Sequence, residues 1–508
     1  MVQPTYPGVY IEEVPSSVRT ITGVATSITA FVGRALKGPV DKALMIHNFT
    51  EFERLYGGLW KESNMSYAVY QYFLNGGLDA TIIRLAKNAA EATFTSTKTQ
   101  LKLKAANPGL WGEDLVLVIT AAEPDNLAKD PTFFNLIVQK KTLDSNRSGS
   151  VLEEFRNVSL NPASSRYIEK LLVEGGSSCL RVNGAVPSSD IPLPPDTNYQ
   201  SNHTGSDGSI LDAPTVIGDQ RTKTGIYALE NVDLFNLLCI PAFNDVESER
   251  SSVYNEALAL CKARRAMLIV DPPRGWLTCA DVKSRVGDYV RRDPNGAIYF
   301  PRIIAPDQLD QCRLKDFDPC GVIAGVIART DSRRGVWKAP AGVGATLVGV
   351  SGLALSMTDE ENGELNRLGI NCLRIFPDAG RVVWGSRTLC GADSLADEWK
   401  YLPVRRIALY IEESLYRGTQ WVVFEPNDEK LWLQIRISVG AFMQSLFLQG
   451  AFQGATPKNA YFVKCDKETT TQGDIDNGIV NIIVGFAPLK PAEFVIIKIQ
   501  QMAGQISE

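Results

Sequence analysis

The chain has 508 residues, 44% of them hydrophobic and 21% charged, with a formal net charge of −5. That length allows two to four domains with sizeable cores, and that charge gives no general attraction to nucleic acid or an anionic membrane. Nine cysteines at irregular spacing, none in a C-x-x-C pair, argue for reduced thiols packed as small hydrophobes and against a disulfide framework or a zinc site.

The opening "PTYPGVYIEEV" reads as a short strand, entered at Tyr6, with Val9 and Ile11 on one face and Tyr10 and Val14 on the other. Pro15-Ser16-Ser17 detaches it from the next element. A strand around Ser27–Gly33, two amphipathic helices ("TEFERLYGG", "SNMSYAVYQYFLNGG") stopped by Gly-Gly, and a strand at Ala80–Ala86 make alternating α/β material. From about 90 to 210 the pattern turns β-rich ("LKLKAA", "EDLVLVIT", "FFNLIVQKK"), and the Pro/Ser/Asp/Gly-dense tract 186–219 reads as a long surface loop. Buried strands ("FNLLCIP", "RAMLIVDPP", "GAIYFPRII") around the helix "SSVYNEALALCKAR" then restore α/β character. Two helices come next, "RRIALYIEESLYRG" and "EKLWLQIRISVGAFMQSLFLQGAF", and after them strands at Asn481–Phe486 and Phe494–Ile499. The last strand is apolar on both faces, with Val495, Ile497 and Ile499 on one and Phe494 and Ile496 on the other. Such strands sit mid-sheet, yet terminal segments fray unless tied down. Each terminal strand therefore either completes a sheet of its own domain or is donated to a neighbour.

The parts of an enzyme are missing from the pattern. There are two histidines: His47 in "LMIHNF", read as half-buried at an element edge, and His203 in the long loop. No paired metal-ligand spacing and no G-x-x-x-x-G-K-[ST] occur. In "PAGVGATLVG" the third glycine of a dinucleotide fingerprint falls on Leu347, and in "GVSGLA" Gly352 follows Ser351 one residue too soon for a nucleophile elbow. The acidic pair Glu412–Glu413 reads as a solvated helix face. Neither a basic-then-apolar leader nor an uninterrupted bilayer-length apolar run is present. The expectation is a soluble protein made in the cytoplasm, with no catalytic, cofactor or metal site.

Three stretches carry a resemblance: "PTYPGVYIEEVPSSVRTITGVATSITAFVGRALKGP", "GVIAGVIARTDSRRGVWKAPAG", and the run from "GINCLRIFPDAGRVVWGSRTL" through "WKYLPVRRIALYIEESLYRGTQWVVFEPNDEKLWLQI" to "NIIVGFAPLKPAEFVIIKIQQ". "NPGLWGEDL" and "NVSLNP" in the middle fit it too. Nearly end to end, the chain resembles the contractile tail sheath family of phages and phage-tail-like contractile injection systems. The resemblance implies a structural, non-enzymatic subunit that assembles with itself as six-fold rings in a helical stack. Its other partners would be an inner tube protein, a baseplate and a terminator or cap, with no nucleic acid and no direct membrane insertion. It places the subunit in an assembled tail or injection particle, released or membrane-anchored through other components. A static self-assembling tube or shell with the same woven arms is the alternative.

For the chain itself the resemblance implies an α/β (α+β) multidomain fold. The expected parts are an N-terminal arm (1–20), an α/β domain (21–90 plus 215–340), an inserted β-rich outer domain (91–214), a C-terminal sheath domain facing the tube (341–490) and a C-terminal arm (491–508). The arms, through Tyr6, Val9, Tyr10, Ile11 and Val14 and through Phe494, Val495, Ile496, Ile497, Lys498 and Ile499, would complete a sheet on neighbouring subunits. Candidate tube-facing charges are Arg405, Arg406, Glu412, Glu413, Arg417, Asp428, Glu429 and Lys430. Trp337, Trp384 and Trp399 read as core or interface anchors, core before interface, and Arg387 as the holder of an ion pair inside the C-terminal domain.

Overall fold

A computed structural model describes residues 19–96, 99–123, 133–141, 149–174, 176–187 and 197–496. The chain divides into two compact units, the larger made of 27–329 and 341–396, the smaller of the residues up to 26, 330–340 and 397 onward.

The larger unit opens with β1 (Thr29–Gly33) and β2 (Leu44–Ile46), then α1 (Phe49–Tyr56), α2 (Asn64–Leu74) and β3 (Ala80–Arg84). Both helices start on side-chain caps, Asn48 and Ser63 accepting from backbone N–H groups of the first turn, and α1 stops at Gly57 with φ +90°. Seven strands come next: β4 (Thr93–Ser96), β5 (Thr99–Ala105), β6 (Leu115–Ala121), β7 (Phe134–Lys140), β8 (Val151–Val158), β9 (Leu180–Val182) and β10 (Thr197–Ser201). They form one antiparallel sheet in the order β8-β7-β6-β10-β4-β5-β9 with its own core of Phe94, Leu103, Leu117, Leu136 and Tyr199. In β6 and β7 buried residues alternate with part-exposed ones, the mark of a sheet covered on one face.

The tract 186–219 is not one loop. Tyr199 is buried in β10, which pairs with both β6 and β4, and Asp212 caps a short helix, Ala213–Ile217, while bonding Lys87 at 2.5 Å. Turn-forming composition hid a polar strand whose one large apolar residue supplies the burial.

The chain then rejoins the first sheet through β11 (Leu237–Cys239), α3 (Glu247–Ala263), β12 (Met267–Val270), α4 (Cys279–Tyr289) and β13 (Gly296–Phe300). A hairpin of β14 (Ile303–Asp307) and β15 (Arg313–Phe317), helix α5 (Cys320–Arg334), β16 (Gly352–Leu353), α6 (Asp359–Arg367), β17 (Asn371–Phe376) and β18 (Gly380–Val383) complete the unit, apart from the last turn of α5. The sheet runs β18-β17-β13-β12-β11-β1-β3-β2, parallel except at its two edge strands. Residues 341–396 were expected with the C-terminal domain, but β17 pairs in parallel with β13 and extends this sheet. Periodicity identifies a strand and says nothing of which sheet takes it.

Behind the C-terminal end of β12 lies a buried polar cluster. Asp271 accepts from the Cys320 N–H at 2.8 Å, Arg302 pairs with Asp318, and Arg250 reaches the Asp271 carbonyl and the Tyr254 hydroxyl at 3.3 Å each. Burial first, then the charge of Asp318, pushes the Asp271 carboxyl up to about 8. Burial works the same way on Asp318, but Arg302 and Arg250 outweigh it and hold that group below its ordinary value.

The smaller unit is built on α7 (Leu402–Gly418) and α8 (Glu429–Leu448), with a two-stranded antiparallel sheet of β19 (Tyr461–Lys464) and β20 (Ile483–Phe486). Its core holds Ile407, Ile411, Trp432, Ile435, Val439, Phe442 and Met443, with Ile21 from the start of the described chain. Helix α8 is, among the described residues, long and apolar enough to cross a membrane, beyond what the interrupted apolar run suggested. It buries Trp432, Ile435, Val439 and Met443 as a core stripe.

Candidate assembly surfaces

The proposed tube-facing charges separate into three kinds. Arg406 points inward: its guanidinium pairs with Asp331 at 2.5 Å, both side chains 3% exposed, and donates to the Thr26 carbonyl at 2.9 Å. Glu413 is also buried and takes the Arg417 guanidinium at 2.7 Å. These two were expected at the surface and are structural, because residues 406 and 413 lie seven apart and so share the helix face that carries Leu402 and Leu409 into the core. Arg405 stacks on Trp399 at 4.8 Å and reaches Glu412 at 3.4 Å on the neighbouring, more exposed side of the helix. Asp428 caps α8 by accepting from the Leu431 N–H, and Glu429 pairs with Lys467 at 2.6 Å. Glu412, Asp428, Glu429 and Lys430 are exposed.

The tryptophans are not core. Trp337 is half-buried against the edge of the smaller unit's core, Trp399 is half-buried, and Trp384 is exposed beside Phe376. Arg387 is fully buried and pairs with Asp393 at 2.9 Å as expected, but within the larger unit. His47 is 61% exposed rather than half-buried, and its hydrogen bond to Asp79 at 2.7 Å raises its pKa. His203 stands beside Glu113 at 3.3 Å on an exposed turn. Among the described residues no group of three His, Cys, Asp or Glu could hold a metal ion.

The β19–β20 pair offers a different kind of surface. Tyr461 and Val463 face the core of the smaller unit, while Phe462 is 51% and Ile483 48% exposed. Two strands alone are marginal in water, and among the described residues no further strand pairs with either. Among the described residues both outer edges are therefore left without a partner strand, a template for strand addition. Strand β19 escaped the sequence reading; its signal was the alternation of "YFVK" between Pro457 and Asp466.

Beyond β20 the chain is fixed by the Ala487 N–H donating to the Ala460 carbonyl at 2.8 Å and by the Tyr401 hydroxyl on Glu493 at 3.1 Å. Phe494, Val495 and Ile496 then run without secondary structure, 71%, 81% and 81% exposed. The N-terminal arm residues Tyr6, Val9, Tyr10, Ile11 and Val14, and Ile497, Lys498 and Ile499, lie outside the described residues.

An α/β body, an appended antiparallel sheet and a helical unit with an open-edged strand pair define a structural assembly protein. Comparison with known proteins gives it a family. Residues 216–389 match the phage tail sheath protein central domain and 396–502 the phage tail sheath C-terminal domain, together more than half of the chain. The second match begins at residue 396, one residue before the unit boundary after Ala396. A tail sheath protein of Vibrio phage KVP40 is 27% identical over 175 residues, 34% of this chain and 24% of that protein. The tail sheath protein of Enterobacteria phage T4 is 22% identical over 332 residues, 61% of this chain and 47% of that one. The chain therefore spans less than half the length of these two relatives. The helical sheath of the anti-feeding prophage in its contracted state is 26% identical, with a TM-score of 0.58, covering 98% of this chain and 99% of that one. The chain belongs to the contractile tail sheath family, whose members are structural proteins and not enzymes.

Proposed function

We propose that this chain polymerises as stacked hexameric rings around an inner tube, and that a change of lattice drives the tube through a target envelope. The reading rests above all on one observation: an open-edged strand pair and an exposed apolar terminal segment occur on the same unit. One copy's Phe494–Ile499 and Val9–Val14 would add to the β19–β20 edges of its neighbours, so that main-chain hydrogen bonds link subunits while the rigid units swing. The tube would meet the exposed charges Glu412, Asp428, Glu429 and Lys430, with Arg405 and Arg417 behind them. The antiparallel seven-stranded sheet would face outward. A baseplate and a terminator would bound the stack within an assembled tail or injection particle.

Contraction needs no nucleotide in this scheme. A new interface of standard size, roughly 1,600 Å², can favour one lattice by several kcal/mol per subunit, and the preference multiplies along a stack. Negative-stain electron microscopy of the full-length protein expressed alone tests the reading. Hollow tubes with six-fold ridged walls are the expected result. Dispersed particles alone, persisting when the tube protein and baseplate are supplied, would reject it.

A further inference from the structure

Residues 19–26 lie along α7 as a strap, within the smaller unit. Arg406, Tyr410, Ser414 and Gly418 recur every fourth residue, which sets them in one row on the helix. The strap runs against that row, from Gly418 toward Arg406. A Cβ on Gly418 would stand 2.5 Å from the Ile21 side chain, and one on Gly23 would stand 1.8 Å from the Tyr410 hydroxyl. The Val24 N–H donates to the Ser414 hydroxyl at 3.2 Å, and the Thr26 carbonyl accepts from Arg406 at 2.9 Å. An extended chain covers about 17 Å from Ile21 to Thr26, and the helix rises about 18 Å from Arg406 to Gly418. The two lengths agree, so the strap is drawn out with no slack.

Both ends of the strap are pinned. Ile21 is buried in the core that α7 and α8 share. Arg406 is itself held by the buried Asp331 carboxylate, so the Thr26 carbonyl is tied to a guanidinium that cannot swing. Before Ile21, the Arg19 guanidinium stacks over Trp421 at 4.8 Å, just past the C-terminal end of α7. The opposite end of the same helix holds the outgoing C-terminal segment, through Glu493 and the hydroxyl of Tyr401 at the N-cap. Both outgoing segments are thus rooted on one helix, about 25 Å apart.

Chain order alone would root the N-terminal arm elsewhere. Thr29 opens β1, an interior strand of the larger unit's sheet, three residues after the strap. Without the strap's contacts, tension on the chain before Arg19 would run straight into β1. With them it enters α7 first. A pull along the strap loads Ile21, Gly23, Val24 and Thr26 together, because their contacts lie side by side along the direction of the pull. Contacts loaded together in shear yield later than contacts peeled one at a time.

We propose that α7 is the strut through which the two arms of one subunit pull on each other, with residues 19–26 as the clamp that delivers tension from the N-terminal arm. Tension from one neighbour to the next crosses the smaller unit along a single helix and leaves β1 and the larger unit unloaded. Gly23 and Gly418 are positioning residues here, since each leaves the space that the opposite side chain fills. The inference rests on the sheath reading, and its first test needs no polymer.

Full-length protein with Lys430→p-azidophenylalanine as a handle, on an exposed position, is pulled between its N-terminus and position 430 in optical tweezers. One short step, the strap leaving α7, is expected before the long steps of the larger unit. Ile21→Ser should lower the force of the short step and leave the long ones in place. Long steps with no short one before them, or a short step unmoved by Ile21→Ser, would overturn the clamp. If Ile21→Ser does not fold, Ile21→Cys with Gly418→Cys decides the matter, in a Cys312→Ser background that removes the exposed native thiol. A Cβ on Gly418 would stand 3.1 Å from the Ile21 Cβ, a few tenths of an ångström inside the roughly 3.5 Å at which disulfides begin. Oxidised with glutathione disulfide, this variant should lose the short and long steps together, since the cross-link takes residues 22–417 out of the path. It should also polymerise like its reduced form. A cross-link that does not form, or one that blocks polymerisation, would show that the strap leaves α7 and overturn the proposal. A wild type that shows the short step but never polymerises would instead defeat the sheath reading.

Discussion

Arg406 shows how far a charged residue's role depends on the helix face it occupies. Its pair with Asp331 is 3% exposed on both sides, and the same guanidinium holds the Thr26 carbonyl. Removing one partner strands the other charge away from water, which costs about 3–5 kcal/mol. Arg406→Ala should therefore lower the denaturant midpoint by that equivalent, whereas Lys430→Ala, on an exposed side chain, should move it by less than about 0.5 kcal/mol. Asp271 gives a prediction in pH. Between the unfolded carboxyl's pKa of about 3.9 and about 8 in the folded chain, the folded state keeps a proton that the unfolded state has released. Stability from this group is thus complete below the lower value and is lost as pH rises through the upper one. Asp271→Asn, which can still accept from the Cys320 N–H, should flatten the fall in unfolding free energy between pH 5 and pH 8 seen in urea titrations of the wild type. A fall of undiminished slope would show that other groups carry it. The face assignment of Arg406 and Glu413 was legible in the sequence, because both fall on the Leu402–Leu409 stripe. The Asp271 cluster was not, since Arg250, Asp271, Arg302 and Asp318 meet only after three separate strand–helix units pack.

At the scale of elements, α5 explains the apolar run "CGVIAGVIA". Every residue from Cys320 to Ala328 is buried, and the two glycines let α5 approach α2 closely. A Cβ on Gly321 would lie 2.2 Å from the Ala68 carbonyl oxygen, and one on Gly325 would lie 2.6 Å from the Tyr72 carbonyl oxygen and the Asn75 Cβ. Alanine is the better helix former by about 1 kcal/mol, but backbone atoms at those distances cannot yield. Overpacking at about 1–3 kcal/mol should win. Gly325→Ala is expected to lower the melting temperature, with Gly321→Ala worse because its obstacle is nearer; a stabilised Gly321→Ala would mean the two helices can separate without cost. The helices themselves were legible from their periods and stop signals, as α1, α2, α7 and α8 show. Sheet membership was not. Strands β17 and β18 fall in a stretch expected with the C-terminal domain, yet the pairing of Asn371 with Tyr299 is a long-range fact that no local pattern encodes.

For the whole molecule, the decisive question is what covers the edges of β19 and β20. Within one chain these edges stay open among the described residues, while Phe494, Val495 and Ile496 expose most of their apolar surface a few residues beyond the Tyr401–Glu493 tether. Folding back onto the same unit would have hidden that surface at no cost in association entropy, so its exposure favours a partner outside the chain. Deleting Pro491–Glu508 separates the possibilities. If the segment serves neighbours, the truncated subunit should keep its melting temperature, because Phe494, Val495 and Ile496, which it loses, are mostly exposed, yet it should form no polymer by sedimentation or electron microscopy. A peptide spanning 488–508, added in excess to the truncated subunit, should then occupy the vacant edge and raise the melting temperature in proportion to its binding. Truncated protein that still builds full-length polymers would remove the woven-strand account. Truncated protein that fails to fold would place the final strand in its own unit, against the exposure of Phe494, Val495 and Ile496.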